Sequence, residues 1–147
     1  MAVQGNLYNP MTDVISLKAG EAAGLVGKRV VTYDASASDF IYATTSTAAF
    51  GSFNTIQAPV GISVNNASAA DGSFADVMCT VGKIVRVTCG GTVTAGQKVV
   101  AGTAGKISNA ALTTAQMTQI VGIALETGSS DTEVAILFQP QLCFKET

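Results

Sequence analysis

Apolar and polar positions alternate over short runs along most of the chain, with a period of two and rarely of 3.6. In residues 83–88, Lys83, Val85 and Val87 fall on one side and Ile84, Arg86 and Thr88 on the other, as in a half-buried strand. Runs rich in β-branched and aromatic residues predict further strands at 14–17, 29–33, 39–42, 60–64, 74–81, 97–100, 119–125 and 133–138. Turn-forming clusters separate them: Asn65-Asn66, Asp71-Gly72, Gly90-Gly91 and Gly128-Ser129-Ser130-Asp131. Gly82 stands alone between two of the runs and predicts a tight connection or a bulge. The Ser/Thr/Ala stretches 43–50 and 108–118 show neither period, and the second has room for one helical turn around Leu112 to Met117. The pattern predicts an all-β, mostly β fold.

Two segments echo one another. Gly27-Lys28-Arg29-Val30-Val31 matches Gly96-Gln97-Lys98-Val99-Val100, and Pro59-Val60-Gly61-Ile62 matches Ile120-Val121-Gly122-Ile123. Each Gly-Ile is followed by a turn cluster with an Asp, Asp71 or Asp131, and then by another strand. Two similar β units packed into one sandwich or barrel-like body are expected. Residues 1–13 lack any period, contain the breaker Asn9-Pro10, and carry apolar anchors at Leu7, Tyr8 and Met11. At the other end Pro140 is expected to stop the last strand, leaving a tail in which Leu142 and Phe144 alternate with Cys143 and Lys145. The expected organisation is an N-terminal arm (1–13), a single β domain (14–138, with halves of about 14–81 and 82–138) and a C-terminal tail (139–147).

Composition narrows the chemistry. Of 147 residues, 48% are hydrophobic and 12% charged, about half the usual charge of a globular domain. Much of the outer surface is therefore apolar or only weakly polar, which suits a protein covered by neighbours. A net charge of −2 lacks the Lys and Arg excess that displaces counter-ions from nucleic acid. No apolar run reaches the 18 or so residues that span a membrane, and the first residues lack a basic, then apolar, leader. A soluble protein made in a cytoplasm is expected.

The absence of His removes Ser-His-Asp and Cys-His catalysis and imidazole metal ligands. Cys79, Cys89 and Cys143 are odd in number without a Cys-x-x-Cys spacing, so buried free thiols are expected, with a Cys79–Cys89 bridge as the alternative. Asp34 with Asp39, and Asp71 with Asp76, are carboxylate pairs at turns, where Asp accepts backbone hydrogen bonds. Asp131-Thr132-Glu133 lacks the oxygen spacing of a calcium loop. Gly24–Lys28 and Gly102–Lys106 end in Gly-Lys, but Arg29 and Ile107 stand where a phosphate loop needs Ser or Thr. Lys83 after Gly82 has only a faint likeness to the modified lysine of lipoyl and biotinyl carrier domains. No enzyme, cofactor or metal is expected.

Thr94-Ala95-Gly96-Gln97-Lys98-Val99-Val100, Gly105-Lys106-Ile107, Val121-Gly122-Ile123-Ala124-Leu125-Glu126-Thr127 and Glu133-Val134-Ala135-Ile136-Leu137 together resemble the small capsid decoration, or cement, proteins of bacteriophages. The resemblance covers roughly residues 59–138, and more loosely the first half through the echo. It departs from the pattern in a longer loop at 34–58 and in the arm and tail. It implies a β-rich structural virion protein, often a homotrimer, on the capsid exterior, bridging major capsid protein subunits and stabilising the head. Nucleic acid and membrane are not among the expected partners. The candidate contacts with capsid or neighbouring subunits are Leu7, Tyr8 and Met11 of the arm and Leu142 and Phe144 of the tail. The alternatives are another virion or tail-fibre-associated β module, or a carbohydrate-binding module using Tyr33, Tyr42 and Phe53.

Overall fold

A computed structural model of the chain describes residues 14–21, 24–34, 39–49, 56–67, 74–112 and 116–145. The described residues form strands β1 (Val14–Lys18), β2 (Val30–Asp34), β3 (Asp39–Tyr42), β4 (Thr47–Ala49), β5 (Gly61–Ser63), β6 (Phe74–Met78), β7 (Ile84–Thr88), β8 (Lys98–Ala101), β9 (Ile107–Asn109), β10 (Gln116–Ala124) and β11 (Glu133–Lys145). A 3-10 turn at Thr103–Gly105 precedes β9, and there is no α-helix among the described residues. The all-β expectation holds.

The strands make two antiparallel sheets. One has the order β1-β6-β5-β2-β3, the other β7-β11-β10-β8-β9, with β4 joining β10. The two echoing segments pair with each other inside each sheet: Val31 lies opposite Gly61 and Val30 opposite Ile62, while Val99 lies opposite Gly122 and Lys98 opposite Ile123. The two registers differ by one residue relative to the sequence echo. Beyond each Gly-Ile the next strand adds in the same way, Ile62 against Met78 of β6 and Ile123 against Leu137 of β11.

Gly82 adopts φ +89, a left-handed conformation that costs glycine little. It does not close a hairpin between β6 and β7, which belong to different sheets. It turns the chain from one sheet into the other, with the Gly82 N–H donating to the Phe138 carbonyl at 2.8 Å. This corner lets the inner faces share one core, where Val30, Ile62 and Met78 meet Val87, Val99, Val134, Ile136 and Phe138. The first sheet is also buried on its far side, where Val31, Phe40, Ala75 and Val77 pack with Ala19, Leu25 and Ala67. Val30 and Val31 are therefore both fully buried, and the Val-Val run carries no alternation because neither face of β2 meets water at these two residues.

Two expectations at the end of the chain are corrected. Pro140 does not stop the last strand, and residues 139–145 continue β11. The pairing moves from Gly122–Phe138 to Ile120–Gln141, so β11 carries one extra residue around Gln139 and Pro140. A bulge absorbs the missing proline N–H, and among the described residues no strand flanks β11 there on the side away from β10. The helical turn around Leu112 to Met117 is also absent from its described part: Gln116 and Met117 already belong to β10, paired with β11 and with β4. Tertiary pairing decides the state of a stretch whose local preference is weak.

Candidate docking surface

Part of the outer face of the second sheet is apolar where an exposed antiparallel face is ordinarily polar. Val87, Ile136 and Phe138 point into the core, so their neighbours Ile84 and Leu137 point out. Cross-strand register lines up Ile84 of β7, Leu137 of β11 and Ile123 of β10 in one row. Ile84 is 67% exposed, and Ile123 and Leu137 are half-buried. Val81, at the corner beside β7, is exposed as well.

Of the residues expected to make contacts, Leu142 and Phe144 lie on the outer half of β11. They stand two positions apart and so share one face. Their partners are Gln119 and Met117 of β10. Leu142 is 49% and Phe144 64% exposed, whereas Met117 is buried. Lys98 Nζ reaches Cys143 Sγ between them at 3.5 Å. The other three expected contacts, Leu7, Tyr8 and Met11, lie outside the described residues.

Further along the same strands, where Arg86 shares the face of Ile84 and Glu133 that of Leu137, a charged seam joins the two sheets. Lys28, left-handed at φ +62, crosses from the first sheet and donates to both carboxylate oxygens of Glu133 at 2.8 and 2.7 Å. Arg86 pairs with Glu126 at 3.2 Å and with Glu133 at 3.8 Å. Lys106 pairs with Asp131 at 2.5 Å. The Glu126 carboxyl is held below its ordinary pKa, first by the Ala135 backbone N–H and then by Arg86. The Asp131 carboxyl is held low chiefly by its hydrogen bond from Lys106, with a smaller contribution from Arg29. A cleft of about 530 Å³ opens at this seam, lined among others by Val26, Lys28, Arg29, Val64, Asp131 and Glu133.

Elsewhere the side chains read as structural. Asp34 and Asp39 face each other across the β2–β3 hairpin, and Asp39 is buried with its Oδ1 unbonded among the described residues. Asp76 takes the Ser16 hydroxyl as partner, and Asp71 lies outside the described residues. Tyr33 is exposed, but the Tyr42 hydroxyl is occupied in accepting the Val26 N–H at 2.8 Å. Phe53 is outside the described residues. All three cysteines are free thiols, so the alternative Cys79–Cys89 bridge is not formed. Burial pushes the Cys89 thiol pKa up, partly offset by a hydrogen bond with Thr132. Among the described residues no three His, Cys, Asp or Glu side chains gather as metal ligands.

Sequence reasoning put Ile84 on the face opposite Val85 and Val87, without saying which face is outward, and did not single out the Ile84–Leu137–Ile123 row. Each residue is an apolar position in its own run, and only the register of three strands makes them neighbours.

No protein-family model matches the chain, and no curated protein sequence matches it. Among solved structures the chain is similar to the N base of the head fiber protein gp8.5 of bacteriophage phi29, at 16% identity and a TM-score of 0.61, over 86% of this chain and 94% of that one. At that identity the likeness is one of fold: the two-sheet β body described here is also the body of a phage head-fiber base.

Proposed function

We propose that the protein is a structural component of a bacteriophage virion, not an enzyme, that sits on the outside of the head and reinforces it by bridging major capsid protein subunits. The observation that carries this reading is the outward apolar surface: the Ile84–Leu137–Ile123 row and the exposed Leu142 and Phe144. Exposed apolar groups at these positions gain free energy only when a partner covers them. A chain with 12% charge and a net charge of −2 suits the outer side of a shell better than a lining that faces DNA. The fold shared with a phage head-fiber base supports the same setting. A homotrimer would repeat one modest contact three times, so that a shell opening has to break all three together. The 1–13 arm, with Leu7, Tyr8 and Met11, is proposed to add to that contact.

The test is co-sedimentation of the purified chain with mature heads lacking it, together with light scattering for the oligomeric state. Saturable binding of the wild type, lost in a Leu142→Ser/Phe144→Ser variant, is the expected result. Wild-type protein that stays in the supernatant at every concentration would overturn the reading. A second reading, the base module of a head fiber, is favoured by the named function of the structural neighbour. It predicts binding at few sites per head, where cement predicts many, and the stoichiometry on saturated heads separates them.

A further inference from the structure

The charged seam is one carboxylate short. Four cations, Lys28, Arg29, Arg86 and Lys106, meet three acids, Glu126, Asp131 and Glu133, and the ion pairs account for every acid and for every cation except Arg29. The Arg29 backbone is bound to Ser63 on both sides, its N–H donating to Ser63 Oγ at 3.1 Å and its carbonyl accepting the Ser63 N–H at 2.9 Å. Its side chain has no such anchor. Nε and Nη1 are buried with no hydrogen-bond partner among the described residues. Arg29 is partly buried and feels Asp131 only at a distance; two guanidinium nitrogens taken out of water with no hydrogen bond are costly to hold and call for an acceptor.

Arg29 lines the seam cleft, and two exposed apolar side chains stand at that cleft among its polar lining: Val26 is 46% and Val64 55% exposed. The acids in the cleft wall do not repel an incoming anion strongly, because Lys28 and Lys106 already neutralise Glu133 and Asp131. We propose that the cleft is a binding site for a protein carboxylate: a Glu or Asp side chain of a partner enters it, Arg29 supplies the missing charge-assisted hydrogen bonds, and Val26 and Val64 cover the flanking apolar residues. A charged anchor with apolar contact beside it is common in protein interfaces. A sugar acid would want an aromatic platform, and no aromatic residue lines the cleft. The proposal deepens the docking reading by naming what a partner presents, and its test needs no phage heads.

Isotope-labelled full-length chain is titrated with the blocked peptide acetyl-Val-Glu-Val-amide, its Gln counterpart, and glucuronate. Saturable shifts of the Arg29 Nε–H signal and of the Val26 and Val64 methyls with the Glu peptide alone are expected. Arg29→Met should weaken the binding by about tenfold or more, with a melting temperature no lower than wild type, since it removes two buried nitrogens that have no hydrogen-bond partner. Arg29→Lys should fall between the two. Equal response to the Glu and Gln peptides, shifts unchanged in Arg29→Met, or tighter binding of glucuronate than of the peptide would each overturn the proposal. Should Arg29→Met fail to fold, the peptide pair on wild type and on Arg29→Lys still decides. Failure on heads with success here would sink the capsid reading and leave the carboxylate site standing, and the reverse result would do the opposite.

Discussion

Gly61 and Gly122 hold the same position in the two sheets. A Cβ on Gly61 would lie 2.1 Å from the Met78 carbonyl oxygen, and one on Gly122 would lie 2.1 Å from that of Leu137. Each sits in a strand flanked in its sheet by the echoed Val-Val strand on one side and the strand that follows the turn on the other. The repeated Val-Gly-Ile is thus a repeated solution to one packing problem, the close approach of a third strand, and neither glycine is needed for an unusual backbone angle.

Alanine at either glycine should therefore cost about 2 kcal/mol or more, because the nearest atom it meets is a backbone oxygen that cannot step aside as a rotamer can. Gly82→Ala is the control. Nothing lies within 4 Å of its added Cβ, so only the strain of φ +89 remains, about 1 kcal/mol. Urea denaturation of the three variants checks the order.

Two phenylalanines of the same strand should separate stability from binding. Phe138 is fully buried in the shared core, and Phe138→Ala is expected to cost about 3–5 kcal/mol. Phe144 is mostly exposed, so Phe144→Ala should change stability by less than about 0.5 kcal/mol while reducing retention on heads. Thermal melts and co-sedimentation of both variants make the comparison.

Acid should weaken the seam. Glu126 and Asp131 have lower pKa values folded than unfolded, so the unfolded chain binds protons more readily. Their contribution is complete above the unfolded values of about 4 and is lost as pH falls through the lower folded values. The melting temperature of wild type should drop between about pH 5 and pH 3 more steeply than that of a Glu126→Gln/Asp131→Asn variant. The difference should be small and should shrink at high salt, because the pairs face solvent. A steeper acid decline in the variant would contradict the assignment.

The three thiols should react at different rates. Cys89 is sealed in the core with its pKa raised by burial, which suppresses the nucleophilic thiolate. Cys79 and Cys143 are only partly covered. With a thiol-reactive dye at pH 8, up to two cysteines should label in the native protein, and Cys89 should label only in denaturant. Mass spectrometry of the digested protein reads the sites.

The amino-acid order alone determined the class of structure. Period-two alternation in 83–88, the β-branched runs and the Gly, Asn and Asp clusters each act within a few residues, and local rules suffice to read them. It also carried the echo, and it ruled out imidazole chemistry simply by lacking His. The alternation of Leu142 and Phe144 with Cys143 and Lys145 was legible too, although as part of a tail and not of a strand.

Only the tertiary structure decided what happens between segments distant in sequence. Pro140 stays inside β11 because β10 pairs on both sides of a bulge, and a proline read locally says only that a strand should stop. Gln116 and Met117 are strand because β4, almost 70 positions earlier in the chain, lies beside them. Ile84, Leu137 and Ile123 become one surface through the register of three strands, and Arg29 stands without a partner only once every acid at the seam is seen to have its own cation. Local preference is worth tenths of a kcal/mol per residue, whereas burial and cross-strand contact are worth several times that, so folding overrides the local signal wherever the two disagree.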